Sequence, residues 1–173
     1  RRLEMAQMMS DSISSVYRLL QNLLTWARSH NGSMQCHPET IEVDSLVKSL
    51  HDAADVLCSS KNIRMNIKNS GDSTIFADSN MMQTILRNLV TNAVKYSFPG
   101  NSIDIVFDSD ANYSIIDVSD SGVGMSQESI DRLFRIEAVT STFGTNNERG
   151  TGLGLLICHE FVQKHGGSIS VFS

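Results

Sequence analysis

Three groups of residues in this sequence have the types and spacing to do chemistry. The first is Asn88, Asn92 and Lys95, with Tyr96 beside the lysine, all within Ser79–Tyr96. At about 100° per residue, a helix sets the two amides and the lysine on one side, each roughly one turn from the next. The amide carbonyl of Asn92 is a hard oxygen donor suited to Mg²⁺, which keeps waters and substrate phosphates as its other ligands. An ordinary solvated helix face accounts for the same residues, because exposed Asn and Lys need no special reason. The second group is Asp120-Ser121-Gly122-Val123-Gly124, directly after an expected strand. A carboxylate there can accept from an amino group such as that of adenine, and the two glycines let backbone approach a flat ring. A turn closing the strand is the plainer alternative. The third group, Gly150-Thr151-Gly152-Leu153-Gly154, opens an expected helix. Its N–H groups and the helix dipole would favour an anion. It matches neither the dinucleotide fingerprint nor a Walker A loop, and a flexible loop is the rival reading. Residues 135–149 join the last two groups, and a polar connection of that length is often a lid or a binding loop.

Elements must hold these groups in place. Residues 3–29 contain no Pro or Gly and read as one helix. Ala6, Met9, Ile13, Val16, Leu20, Leu23 and Ala27 alternate spacings of three and four, a heptad seam that fits a helical bundle. A single amphipathic helix packed on its own domain is the alternative. Asn31-Gly32-Ser33 ends the helix and His37-Pro38 marks a boundary. Beyond it the patterns predict a strand over 41–43, then a helix from an N-cap at Asp44 to about Cys58. Strands over 63–67 and 74–77 and the helix Ser79–Tyr96 follow, the helix burying Met82, Leu86, Leu89 and Ala93. Strands over 102–107 and 113–119, helices over 127–134 and 153–165, and a closing strand Ser168–Phe172 complete the order. Interspersed helices and strands without strict alternation predict an α+β fold, a two-layer α/β sandwich with helices on one face of a mixed sheet.

Composition narrows the function. With 40% hydrophobic and 19% charged residues the chain can build a core, and a net charge of −5 argues against nonspecific nucleic-acid binding. A phosphorylated small molecule remains compatible, since backbone N–H groups and a metal can hold it. Cys36, Cys58 and Cys158 show no metal-ligand spacing, and their odd number reads as a reducing compartment. No apolar run is long enough to span a bilayer. The sequence opens inside a helical pattern without an initiator Met, which reads as part of a longer chain with room for a membrane segment upstream.

Taken in this order and spacing, the three groups resemble the N, G1 and G2 boxes of the histidine-kinase catalytic domain, in the ATPase superfamily shared with DNA gyrase, MutL and the ninety-kilodalton heat-shock chaperone. The resemblance covers residues 38–173. It implies ATP and Mg²⁺ as ligands, with Asn92 on the metal and Asn88 supporting the metal–phosphate site. It implies that Lys95 and Tyr96 face phosphate and nucleotide, and that Asp120 reads the adenine amino group beside Gly122 and Gly124. Gly150, Thr151, Gly152, Leu153 and Gly154 would embrace the triphosphate, with residues 135–149 as the ATP lid. Leu133-Phe134 is similar to the F box, although its second half is altered to Arg135-Ile136-Glu137-Ala138. Residues 1–33, chiefly Leu20–Ser29, resemble the second helix of the dimerisation and phosphotransfer domain. That implies a homodimer through a helical bundle, a response-regulator receiver as the next partner, and a cytoplasmic place beneath a membrane anchor. The stretch from Leu133 to Leu155 is also similar to hybrid sensor kinases of the Bacteroides group.

Two departures bear on activity. The family's phosphoacceptor histidine lies on a first dimerisation helix that this sequence lacks, and His51-Asp52 and His159-Glu160 only imitate the start of its box. The sequence also stops before the strand that normally completes the sheet. The resemblance thus implies an ATP-dependent protein-histidine kinase whose acceptor lies elsewhere, so that these residues alone should not autophosphorylate. ATP hydrolases of the superfamily carry a Glu at the position of Asn88, and Asn is no general base near neutrality. A serine kinase of the anti-sigma-factor type and a degenerate regulatory module are the rivals, the first disfavoured by the heptad helix and the second by the intact boxes.

Overall fold

Apolar residues recur in this chain at two spacings, and each spacing builds its own kind of element. In chain order these are α1 (Arg2–His30), β1 (Glu39–Glu42), α2 (Val43–Lys61), β2 (Arg64–Asn69), β3 (Thr74–Ala77), α3 (Ser79–Tyr96), β4 (Ser102–Ser109), β5 (Ser114–Asp120), α4 (Gln127–Arg132) and α5 (Gly154–Lys164). The computed structural model describes residues 2–135, 144–146, 148 and 150–173, with the side chains at 2–4, 6–8, 10, 11 and 15 outside the description. Most of the expected lid, 136–143 with 147 and 149, therefore lies outside the described residues.

β4 buries Ile103, Ile105 and Phe107 at every second position, the period of a strand covered on one face. α2 buries Val43, Leu46, Leu50, Ala54 and Cys58 at steps of three and four, the stripe of an amphipathic helix. Together with Leu86, Val90, Ala93 and Val94 of α3, these side chains form the larger core between sheet and helices. The sheet runs β2-β4-β5, with β2 parallel to β4 and β5 antiparallel to it. β1 and β3 form a separate antiparallel pair. The sheet's other face is polar, where Asn66 donates to Asp104 at 2.8 Å. This is the expected α+β two-layer sandwich. A second cluster joins Met81 and Ile85 of α3 to Ile157, Cys158 and Phe161 of α5, with Trp26 of α1 packed against it.

Three local expectations need correction. Glu42, not Asp44, takes the N-cap position of α2, because β1 runs without a break into the helix. The Val43 N–H is satisfied by the Ser73 carbonyl at 2.8 Å, leaving Asp44 to act through its charge on the first turn. The buried set of α3 is Met81, Ile85, Leu86, Val90, Ala93 and Val94, so Leu86 and Ala93 of the expected stripe are buried while Met82 and Leu89 are only half-buried, because the helix is covered by both clusters. Ser168–Phe172 is not a strand. Ile169 packs instead against the α3–α5 cluster, Ser173 Oγ accepts from the Met125 N–H at 2.7 Å, and Phe172 is 91% exposed.

Candidate functional site

Everything at the site is organised along α3. Its N-cap, Asp78, accepts from the Met81 N–H through Oδ1 and from the His37 N–H through Oδ2, both at 3.0 Å. The Asp78 N–H donates to His165 Nε2 at 2.9 Å, and His165 Nδ1 lies 2.7 Å from the Phe161 carbonyl, so the ring carries its proton on Nδ1. Burial raises the Asp78 pKa, but the N–H groups of His37, Met81 and Asn80, with His165 nearby, bring it below the ordinary value. Further along, the Cys158 thiol reaches the Ile85 carbonyl at 3.7 Å, and Asn88 Nδ2 donates to the Gly154 carbonyl at 3.4 Å. These three ties, read in order, make α5 antiparallel to α3. The glycine-rich start of α5 is thereby brought to the middle of α3, beside Asn88.

That approach favours glycine. A Cβ at Gly154 would come within 3.3 Å of Asn88 Oδ1, and Gly152 has φ 73°, a conformation that other residues rarely adopt. Thr151 is half-buried, and Leu153, only 5% exposed, stands at the N-cap of α5 rather than inside it. Gly150 is exposed at the start of the segment.

The second group meets the other end of α3. The register Ile103↔Asp120 ends β5 where β4 begins, just past the helix C-terminus. Gly122 bridges to Ser97, the Val123 N–H donates to the Tyr96 carbonyl at 3.3 Å, and Asn101 Nδ2 donates to the Ser121 carbonyl at 2.9 Å. A Cβ at Gly122 would overlap the Tyr96 carbonyl oxygen, and Gly124 has φ 66°. Asp120 is exposed, and its Oδ1 accepts from the Gly122 N–H at 2.8 Å, a bond within its own loop. Lys95 Nζ lies 2.9 Å from the Tyr96 hydroxyl and 4.5 Å from the centroid of its ring, within cation–π range. Asn92, between the two ends, is half-buried, and its side-chain amide makes no hydrogen bond among the described residues. All the predicted site residues thus lie on α3 or on the two segments that touch it, though no hydrogen bond joins Asp120 to Asn92.

Sequence reasoning missed Lys61 and Asn22. Lys61 follows Cys58 at the next position of the α2 stripe and is 4% exposed. Its Nζ donates to the Val94, Lys95 and Thr145 oxygens at 3.0, 2.8 and 2.8 Å and pairs with Glu148 Oε1 at 2.6 Å. A lysine continuing an apolar stripe was the signal. Burial raises the Glu148 pKa, but the Lys61 hydrogen bond and nearby N–H groups bring it below the usual value. Asn22 donates from Nδ2 to Thr151 Oγ1 at 2.9 Å, tying α1 to the glycine-rich segment, and no pattern pointed to it. Near it Trp26 stacks on His30, which meets Glu160 of α5 at 3.1 Å. The Cys158 thiol is fully buried, and burial pushes its pKa up to about 12, which makes it an inert core residue.

Residues 77–173, more than half of the chain, match the family of histidine kinase-, DNA gyrase B-, and HSP90-like ATPases. The chain belongs to that family. It is 28% identical over 167 residues to sensor protein SrrB of Staphylococcus aureus, covering 94% of this chain and 28% of the relative. The chain thus spans about 28% of the length of the curated relatives it matches. Its fold is similar to full-length ShkA in complex with AMPPNP, with a TM-score of 0.81 and 21% identity over 98% of this chain and 35% of that one. It is also similar to histidine kinase ThkA in complex with the response regulator TrrA, with a TM-score of 0.70 and 17% identity over 92% and 43% of the two chains. The family match and these similarities together support the catalytic ATP-binding domain of a sensor histidine kinase.

Proposed function

We propose that this chain holds ATP with Mg²⁺ along α3 and delivers the γ-phosphoryl to a histidine on a separate helix, for relay to an aspartate of a response-regulator receiver. The observation that carries the reading is the convergence on one helix of Asn88, the unbonded Asn92 amide and the Lys95–Tyr96 pair with the glycine-rich start of α5 and the Asp120 loop. Of the similar structures, ShkA is in complex with AMPPNP and ThkA with a response regulator, which adds support by similarity.

The donor set fits the ligands. No cluster of three or more His, Cys, Asp or Glu suited to a metal occurs among the described residues. A Mg²⁺ ion held by the Asn92 carbonyl would therefore take its remaining oxygens from phosphates and water, as this ion commonly does. When bound, it supplies charge neutralisation for the phosphates. The start of α5 offers N–H groups and a positive dipole end to the same phosphates, at a backbone kept close by Gly152 and Gly154. Asp120, exposed at the end of β5, would accept from the adenine amino group, while Lys95 would face phosphate and Tyr96 would lend its ring to the nucleotide.

Asn88 decides between transfer and hydrolysis. Its amide cannot take a proton from water, and its Nδ2 is already committed to the Gly154 carbonyl. A neutral imidazole attacks with a nitrogen lone pair: the P–N bond forms, the bond to the bridging oxygen breaks, and ADP leaves with that electron pair. The nucleophile needs no base, so orientation and charge stabilisation remain as the site's work. On this reading residues 1–33 are the second helix of a dimerising bundle, residues 38–173 are the catalytic domain, and the assembly is a cytoplasmic homodimer. Among the described residues no helix is long and apolar enough to cross a membrane.

Titration calorimetry tests the binding site. Asn92→Ala should weaken Mg²⁺-dependent ATP binding by about tenfold or more, the loss of one contact to a charged group. Asp120→Ala should reduce the preference for ATP over GTP. Equal binding of ATP by the parent chain and both variants contradicts the assignment.

A further inference from the structure

We propose that Lys61 is a positioning residue for the nucleotide site, fastening residues 144–146 and 148 to the C-terminal end of α3 through Glu148 and Thr145 and so fixing the approach to Gly150–Gly154. The inference rests on the nucleotide reading above and adds to it a residue that lies on α2, outside the three groups.

Lys61 stands in the last turn of α2, and its stem continues the apolar stripe that packs on α3. Its ammonium ends at the Val94 and Lys95 carbonyls, where α3 runs out of internal donors and its dipole is negative. Its three N–H groups are shared among the two carbonyls, the Thr145 hydroxyl and Glu148 Oε1, which also meets the charge. The segment is then folded around that point. The Thr145 N–H donates to the Lys95 carbonyl at 3.1 Å and its hydroxyl reaches the Ser97 carbonyl at 2.6 Å. The Gly144 N–H donates to the Glu148 carbonyl at 3.0 Å, and the Asn146 N–H to Glu148 Oε2 at 2.8 Å. A Cβ at Gly144 would overlap Glu148 Oε2 and come within 2.6 Å of Lys95 Cγ, so this close seat takes a glycine.

Position turns this clasp into a determinant of binding. Lys95 and Tyr96 adjoin the carbonyls that Lys61 and Thr145 grip, and only one residue separates Glu148 from Gly150. One buried charge therefore sets the backbone of α3 at its nucleotide-facing end and the point from which the glycine-rich segment departs. A buried ion pair is a poor source of stability, because desolvation offsets its attraction, yet removing one partner leaves the other uncompensated. Its value here is geometric, and misplacement of a binding loop by about an ångström can cost roughly a hundredfold in rate.

The test uses the whole chain with Lys61→Met, Glu148→Gln and the double substitution, each checked for folding by its melting transition. Two readouts are taken: MgATP affinity by calorimetry, and amide exchange at Thr145 with Ile105 of β4 as an internal reference. Each single change should weaken MgATP binding about tenfold, and the double change should cost no more than Lys61→Met alone. Thr145 should lose protection in all three while Ile105 keeps it. Unchanged affinity in both single variants, losses that add in the double variant, or unaltered exchange at Thr145 overturns the proposal. Glu148 is 37% exposed, so Glu148→Gln carries the test if Lys61→Met does not fold. Failure of the parent chain to bind MgATP overturns the nucleotide reading instead; loss of Thr145 protection in the variants still supports the clasp, and its retention removes it.

Discussion

Asn88 and Gly122 show how single residues set what the site can do. Asn88 gives its amide to the Gly154 carbonyl, which holds the start of α5 and leaves nothing at that position to activate water. Gly122 sits where a Cβ would overlap the Tyr96 carbonyl, so the Asp120 loop can close on the helix end only through a glycine. Gly122→Ala should therefore push the loop away and lower stability by about 1–3 kcal/mol, the usual range for overpacking a tight contact. Urea denaturation checks this, and an unchanged midpoint would mean that the loop has another place to sit. Both residues were legible in the sequence by type and spacing. Lys61 was not read, because the expected helix ended at about Cys58, whereas α2 runs on to Lys61 and carries its stripe one position further. Asn22 had no signal, since its partner Thr151 lies 129 residues away and the contact depends on how α1 meets α5.

At the scale of elements, α3 is positioned from its first residue. Asp78 ties the helix start to His37 and, through its own N–H, to His165 at the end of α5. Asp78→Ala removes the cap and leaves the His37 N–H without its partner, and should cost about 1–2 kcal/mol, near the upper range for a capping residue. A thermal melt would read this as a lower midpoint, with the Asn88–Gly154 approach loosened at the same time. Asp78 and Glu148 both have folded pKa values below their ordinary ones. Their contribution to stability is therefore complete above the unfolded carboxylate values and is lost as pH falls through the folded ones. Stability measured from neutral pH downward should begin to decline near the ordinary carboxylate range, and Asp78→Asn should flatten part of that decline; identical profiles would remove Asp78 as a source. Helix and strand periods were readable because they follow from burial on one face. The closing strand was not, because a strand exists only by pairing, and Ile169 finds its contacts in the α3–α5 cluster instead. The Asp44 cap was misread for a similar reason, since β1 enters α2 without a turn.

For the molecule as a whole, the exposed seam of α1 bears on the proposed assembly. Met9, Ile13, Val16 and Leu20 are 57–67% exposed, while Trp26 at the far end packs toward α5. A row of apolar residues at heptad spacing is stable in water when other helices cover it, which is the basis for proposing the bundle. In a chain that includes both bundle helices, Val16→Glu with Leu20→Glu should convert a dimer to a monomer, as read by light scattering; a persisting dimer would place the seam elsewhere. The central claim, a site that holds ATP for a histidine supplied by another helix, is tested most directly by incubating this chain with γ-labelled ATP, alone and with a bundle domain carrying the acceptor helix. His30 is at the end of α1, His37 lies just before the proposed catalytic domain, and His51, His159 and His165 lie within it, with His165 engaged by Asp78 and Phe161. The account predicts an unlabelled chain when alone, and acid-labile, base-stable label on the added helix when it is supplied. Label on the chain by itself, abolished by replacing one of its own five histidines, would contradict it.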